Sequence, residues 1–179
     1  MRSLFVICLV VIVEASGIGV KGGLLSSNMG IGASVGLFGM IDAGDVLTFR
    51  PCLNIEYIGS DTYWDGREWI DRFNIYELNV SLDALFKFSN KAVVPYVGVG
   101  IVPTVDIEDY EDAYYDRSQV LIGLGFNFVG GVMFPMGTYK GSIEVEGIVG
   151  IEKQIGVNFS IIFERHASAR SYHKQWGEL

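Results

Sequence analysis

Apolar and polar side chains alternate with a period of two along most of the chain from Ile18 to Phe163, the signature of half-buried strands. Between residues 47 and 57, Leu47, Phe49, Pro51, Leu53, Ile55 and Tyr57 fall on one face, and Thr48, Arg50, Cys52, Asn54 and Glu56 on the other. Tyr76, Leu78, Val80, Leu82 and Ala84 oppose Glu77, Asn79, Ser81 and Asp83 in the same way. Ile155, Val157, Phe159, Ile161 and Phe163 alternate with Gly156, Asn158, Ser160 and Ile162. The apolar faces are nearly free of polar residues, whereas the opposite faces mix small, hydrogen-bonding and charged groups. Such faces suit the lipid and the lumen of a membrane-spanning barrel. The pattern predicts eight strands, at residues 18–26, 32–41, 46–58, 73–85, 93–102, 119–129, 141–149 and 154–163. Most match the ~9–11 residues that a tilted strand needs to cross hydrocarbon.

The connections predict the topology. Residues 42–45 read as a tight hairpin turn containing Gly44, and residues 86–92 as a short basic link with Lys87 and Lys91. Residues 59–72 and 103–118 read as long polar loops. Short turns at one end and long loops at the other fit an outer-membrane barrel. Residues 134–140, with Pro135 and Gly137, read as a longer turn, and 150–153 as an unusually short outer loop. The stretch 118–139 has no charge and is long enough for a membrane helix. Its glycines at 123, 125, 130, 131 and 137, and the alternation of Ile122, Leu124, Phe126 and Phe128 with Gly123, Gly125 and Asn127, predict a strand instead. Arg2 followed by an apolar run from Leu4 to Val13 and then small residues describes a signal peptide. The expected organisation is a signal peptide at 1–15, a barrel at 16–163 and a short periplasmic tail at 164–179. The rival for the first segment is a buried N-terminal strand.

The predicted fold is therefore all-β, an eight-stranded antiparallel up-and-down transmembrane β-barrel, expected to be monomeric and to contact outer-membrane lipid. Eight strands leave an interior just wide enough for side chains. Tyr96, Gly98 and Gly100, together with Gly123 and Gly125, are expected on the inward face. So are Lys21, Arg50, Glu56, Glu77, Asp83, Glu144 and Glu146. Buried charges must be paired or hydrated, so Arg50 and Lys21 are expected to pair with some of these carboxylates in a lumen network.

Composition narrows the function. Half of the 179 residues are hydrophobic, 19% are charged, 23 are glycine, and the formal charge is −8. An acidic chain without a basic stripe argues against a nucleic-acid partner. Aromatics gather near the predicted strand ends, as in interfacial belts. No histidine occurs between Gly17 and Arg165, so Ser–His and Asp–His chemistry is unavailable within the barrel. Glu144 and Glu146 share a face but read as a hydrated lumen pair, and Cys52 reads as packing. His166 and His173 on the tail are too weak a pair to assign a metal, and no cofactor is implied. Asp106, Glu108, Asp109, Glu111, Asp112 and Asp116 make one predicted outer loop strongly acidic, interleaved with Tyr110, Tyr114 and Tyr115. The loop reads as a solvated tip, or as a site for a cation or a partner; its spacing does not match an EF-hand.

Several segments carry a family resemblance: the opening Gly19-Val20-Lys21-Gly22-Gly23-Leu24, the run Pro95-Tyr96-Val97-Gly98-Val99-Gly100, and the final alternation ending at Phe163. They resemble the small outer-membrane β-barrels related to the OmpA and OmpX barrels, often labelled porin-like. The resemblance implies the outer membrane of a Gram-negative-type bacterium, a non-enzymatic structural or surface-interaction role, and Phe163 as the terminal aromatic read during insertion. The tail, which holds both histidines, departs from that pattern. Two other readings stand beside this one: a narrow pore for water or small cations, and a soluble secreted barrel binding a small apolar ligand.

Overall fold

A computed structural model describes residues 15–28, 30–60, 63–64, 69–70, 72–89, 92–111, 116–150 and 153–164. The strands are β1 (Gly17–Ser27), β2 (Ile31–Asp42), β3 (Leu47–Ser60), β4 (Tyr63–Trp64), β5 (Trp69–Ile70), β6 (Arg72–Lys87), β7 (Val94–Glu111), β8 (Asp116–Met136), β9 (Tyr139–Val149) and β10 (Lys153–Glu164). Eight of them close in the order β1-β10-β9-β8-β7-β6-β3-β2, with every neighbour antiparallel. The first strand meets the last over Gly17–Ser27 and Gln154–Glu164, which removes the sheet edge. β4 and β5 form a separate two-stranded ribbon between β3 and β6.

The barrel is inside-out relative to a water-soluble protein. Val35, Ile55, Val99, Phe128, Val145 and Val157 face outward and are each more than half exposed. Arg50, Asp83, Asn127 and Glu144 face inward and are almost fully buried. Such an exterior is stable only against hydrocarbon, where backbone N–H and C=O groups must be satisfied by strand pairing. Aromatic rings mark both rims. Tyr57 packs on Tyr76 near the outer ends of β3 and β6, with 5.3 Å between centroids, and donates a hydrogen bond to Asn74 at 2.8 Å. Tyr139 meets Phe163 edge-on at 5.1 Å at the inner end.

Several strand ends differ from the sequence reading. β7 continues through Glu111 and β8 starts at Asp116, so most of 103–118 is a strand pair and not a loop. Backbone pairing is indifferent to side-chain polarity, and an acidic stretch can prolong a ladder above the membrane. β8 also runs on to Met136 and β9 starts at Tyr139, so the expected long turn at 134–140 shrinks to two residues. Gly137 supplies the positive φ of 66° that a tight turn requires. At 16, 18 and 21 residues, β6, β7 and β8 exceed the span of a bilayer. The inner turns are short, so the surplus rises on the outer side as a raised sheet. The expected signal peptide, apart from Ala15, and all of the tail but Glu164 lie outside the described residues.

Candidate functional site

The lumen is stacked in three layers. The inner layer is mostly apolar. Phe38 and Met40 from β2, Cys52 from β3, Leu85 from β6, Tyr96 from β7, Val129 and Met133 from β8 and Ile162 from β10 form one buried cluster. A glycine makes room for its largest ring: a Cβ on Gly19 would lie within 2.7 Å of three Phe38 ring carbons. The sequence reading placed Tyr96 and Cys52 inward but did not identify this plug. Its signal was an apolar residue at the inner end of several otherwise polar rows, Ile162 after Ser160 and Leu85 after Asp83 being examples.

The middle layer is an ion-paired belt. Arg50, 2% exposed, directs Nε and Nη2 at Asp83 Oδ2 (3.1 and 3.0 Å) and Nη1 at Glu144 Oε2 (2.6 Å). Its guanidinium also lies 5.7 Å from the centroid of Phe38, tying the belt to the apolar layer. Lys21 Nζ donates to Glu146 Oε2 at 2.7 Å. The neutral members join the two ion-pair groups. Asn127 Nδ2 donates to Asp83 Oδ1 at 3.0 Å and to Glu146 Oε1 at 2.7 Å. Tyr96 donates to Glu144 Oε2 at 2.8 Å, and Asn158 to Glu146 Oε2 at 2.8 Å. Asn127 was visible in the sequence as the one asparagine in the charge-free stretch, but its bridging role was not. Burying charges is expensive even when they are paired, so the belt is better read as fixing a unique arrangement than as raising stability.

The outer layer is acidic. Glu56 on β3, Glu77 on β6 and Asp106 on β7 stand opposite one another in register and face inward. No lysine or arginine pairs with Glu56, Glu77 or Asp106 among the described residues. Gln154 donates to Glu77, and Gln119 to Glu108. The site residues named from sequence therefore divide. Lys21, Arg50, Asp83, Glu144 and Glu146 come together, whereas Glu56 and Glu77 sit above them. The acidic loop is corrected as well. Asp106 and Glu108 line the lumen, while Asp109 faces outward on the same strand. Glu111 and Asp116 are paired strand residues, and Asp112 lies outside the described residues. Splitting these carboxylates between two faces removes the single cluster that the loop reading required. Among the described residues, no three His, Cys, Asp or Glu side chains converge on a metal position.

At the inner rim, partial burial opposes the charge on Asp42. The Thr48 hydroxyl at 2.6 Å and the Lys87 ammonium at 2.9 Å outweigh it and hold that carboxyl below its ordinary value.

No protein-family model matches the chain, and no curated protein matches it. Solved structures do match. Neisserial surface protein A is similar over 83% of this chain and 95% of its own, with 16% identity and a TM-score of 0.52. Ail, the attachment invasion locus protein of Yersinia pestis, matches over 84% and 95%, with 12% identity and a TM-score of 0.52. A major outer membrane protein from Thermus thermophilus matches over 83% and 99%, with 13% identity and a TM-score of 0.51. The fold is that of the small eight-stranded outer-membrane barrels.

Proposed function

We propose that this chain is a non-enzymatic protein of the outer membrane of a Gram-negative-type cell. Its barrel is closed to solutes and serves as an anchor. The raised sheet of β6, β7 and β8 contacts another protein or surface outside the cell. The observation that carries this reading is the belt joining Lys21 and Arg50 to Asp83, Glu144 and Glu146, set on an apolar plug inside a lipid-facing wall. The lack of histidine from Gly17 to Arg165 supports the non-enzymatic part. The fold shared with a surface protein and an attachment protein supports the outer-membrane setting and the contact role. A soluble ligand-binding barrel would need the opposite arrangement, with apolar groups inside and polar groups outside. The acidic outer layer favours a narrow cation path as the second reading.

Planar-bilayer recording of the purified, refolded barrel separates the two. The plugged reading expects no steady current steps in potassium chloride. Stable cation-selective steps that change in Glu77→Ala would overturn it in favour of the path.

A further inference from the structure

On its outer side the raised sheet ends in an open edge. β8 pairs with β7 without a break from Met133 to Asp116, but on its other flank β9 reaches only as far as Phe126. Gly125 still lies beside the end of β9: a Cβ there would meet the Val149 carbonyl oxygen at 3.1 Å and Gly150 Cα at 3.2 Å. From Leu124 up to Asp116 no strand pairs with that flank, and no loop backbone bonds to it, among the described residues. Residues of an antiparallel ladder direct their N–H and C=O to either flank in turn, so every second residue of this stretch offers both groups to the outside.

Natural sheets guard such an edge with charge, proline, a bulge, a short length or a covering segment. Residues 118–124 carry no charge and no proline. The β7 register passes them unbroken, so they hold no bulge, and none has a positive φ. Ser118, Val120, Ile122 and Leu124 are exposed, Ile122 at 70%. The Gln119 side chain is turned back onto β7, where it donates to Glu108.

We propose that the free edge of β8, residues 116–124, takes an extended strand of another protein outside the cell, which joins the sheet through backbone hydrogen bonds. This rests on the reading of the raised sheet as a contact surface and names how it makes contact. A row of open N–H and C=O groups at strand spacing is complementary to a strand. The chain's own segments do not suit the place. The connections at 112–115 and 150–152 are too short to run along the edge, and the first and last strands meet at Gly17 and Glu164 on the inner rim, so the residues beyond them leave on the far side of the membrane. A second copy in the same membrane is excluded by tilt. Followed from pair to pair around the barrel, the row that starts at Val120 returns to β8 at Gly130, ten residues lower. With strands about 4.8 Å apart and about 3.4 Å per residue, that stagger tilts them by about 40°. Two copies standing side by side are related by an axis along the membrane normal, so their β8 edges would cross at about 80° and could not pair. The partner strand alternates. Its outer positions lie beside Val120 and Ile122 and are apolar; its inner positions share the face of Asp106 and Glu108 and are polar without being acidic.

The test uses the detergent-folded full chain and a fluorescent peptide of alternating valine and threonine, closed by a lysine at each end, followed by anisotropy. The expected result is saturable binding of this peptide and none of the same peptide methylated at every backbone nitrogen, which keeps the side chains and loses the donors. Val120→Lys/Ile122→Lys, which places charge on the edge, should weaken binding by about tenfold or more. Ile107→Lys, on the same face but one strand in from the edge, should leave it within about twofold. Gel mobility before and after heating reports whether each variant is closed; if the double variant does not close, Val120→Lys alone carries the same expectation. No binding of the peptide at millimolar concentration overturns the proposal, as does equal binding of the methylated peptide. A loss in Ile107→Lys as large as that in the double variant also overturns it, since contact would then be made by the apolar face and not by the edge. Clustering of wild-type proteoliposomes that the double variant abolishes would make the occupant a second copy in a facing membrane and overturn the assignment to another protein. None of these results bears on the bilayer recording, so failure of the edge and failure of the plugged reading are distinguishable.

Discussion

Replacing Arg50 with methionine tests the belt most directly. The side chain donates three N–H···O bonds to two carboxylates that are at most 1% exposed. Methionine keeps much of the volume and the contact with Phe38 but removes every donor. Lys21 then remains as the one belt cation facing Asp83, Glu144 and Glu146. Asp83 keeps the Asn127 amide and Glu144 keeps the Tyr96 hydroxyl, so neither is wholly abandoned. Breaking a buried pair by removing one partner costs about 3–5 kcal/mol, and the two surviving donors place Arg50→Met at the lower end of that range, about 3 kcal/mol. The triple variant Arg50→Met/Asp83→Asn/Glu144→Gln removes the stranded charge along with its partner and should recover to within about 1 kcal/mol of the parent. Equilibrium urea unfolding of barrels refolded into lipid vesicles, followed by circular dichroism and by gel mobility, measures each difference. A loss below about 1 kcal/mol for the single variant would refute the reasoning. So would a triple variant no more stable than the single one.

Other consequences follow from the same geometry. A Cβ on Gly100 would meet the Leu82 carbonyl oxygen at 2.7 Å and Asp83 Cα at 3.0 Å, whereas one on Gly130 meets nothing within 4 Å. Gly100→Ala should therefore destabilise by about 1–3 kcal/mol through overpacking, and Gly130→Ala should be close to neutral by the same unfolding assay. Val99 is 52% exposed on the lipid side, so Val99→Arg should cost about 2–4 kcal/mol in vesicles if it lies near the bilayer midplane; no cost there would contradict an acyl-chain environment. Because the carboxyl of Asp42 is held below its ordinary value, the stability it adds is present above the unfolded value and disappears as pH falls through the lowered folded value. The difference between wild type and Asp42→Asn should thus be visible at neutral pH and gone in strong acid, and at a half-exposed pair it should stay under about 1 kcal/mol. A difference that grew on acidification would have the wrong sign.

The amino-acid sequence by itself determined which way the side chains point. Strand periodicity is strictly two, so the alternation from Leu47 to Tyr57 assigns every residue to lipid or lumen before any partner is known. It also set the number of spanning strands, since a bilayer demands uninterrupted apolar faces of a fixed length. Two things were decided only by the tertiary structure. The first was where the ladders stop: residues 103–111 continue β7 because backbone hydrogen bonds, and not side-chain polarity, carry a strand above the membrane. The second was who meets whom across the axis. Arg50 reaches Glu144, 94 positions along the chain, and leaves Glu56, only six away, to the outer layer. The alternation fixes a face but not a height within the barrel. Height comes from the register and stagger of all eight strands, and a closed sheet sets those only when its last strand pairs with its first.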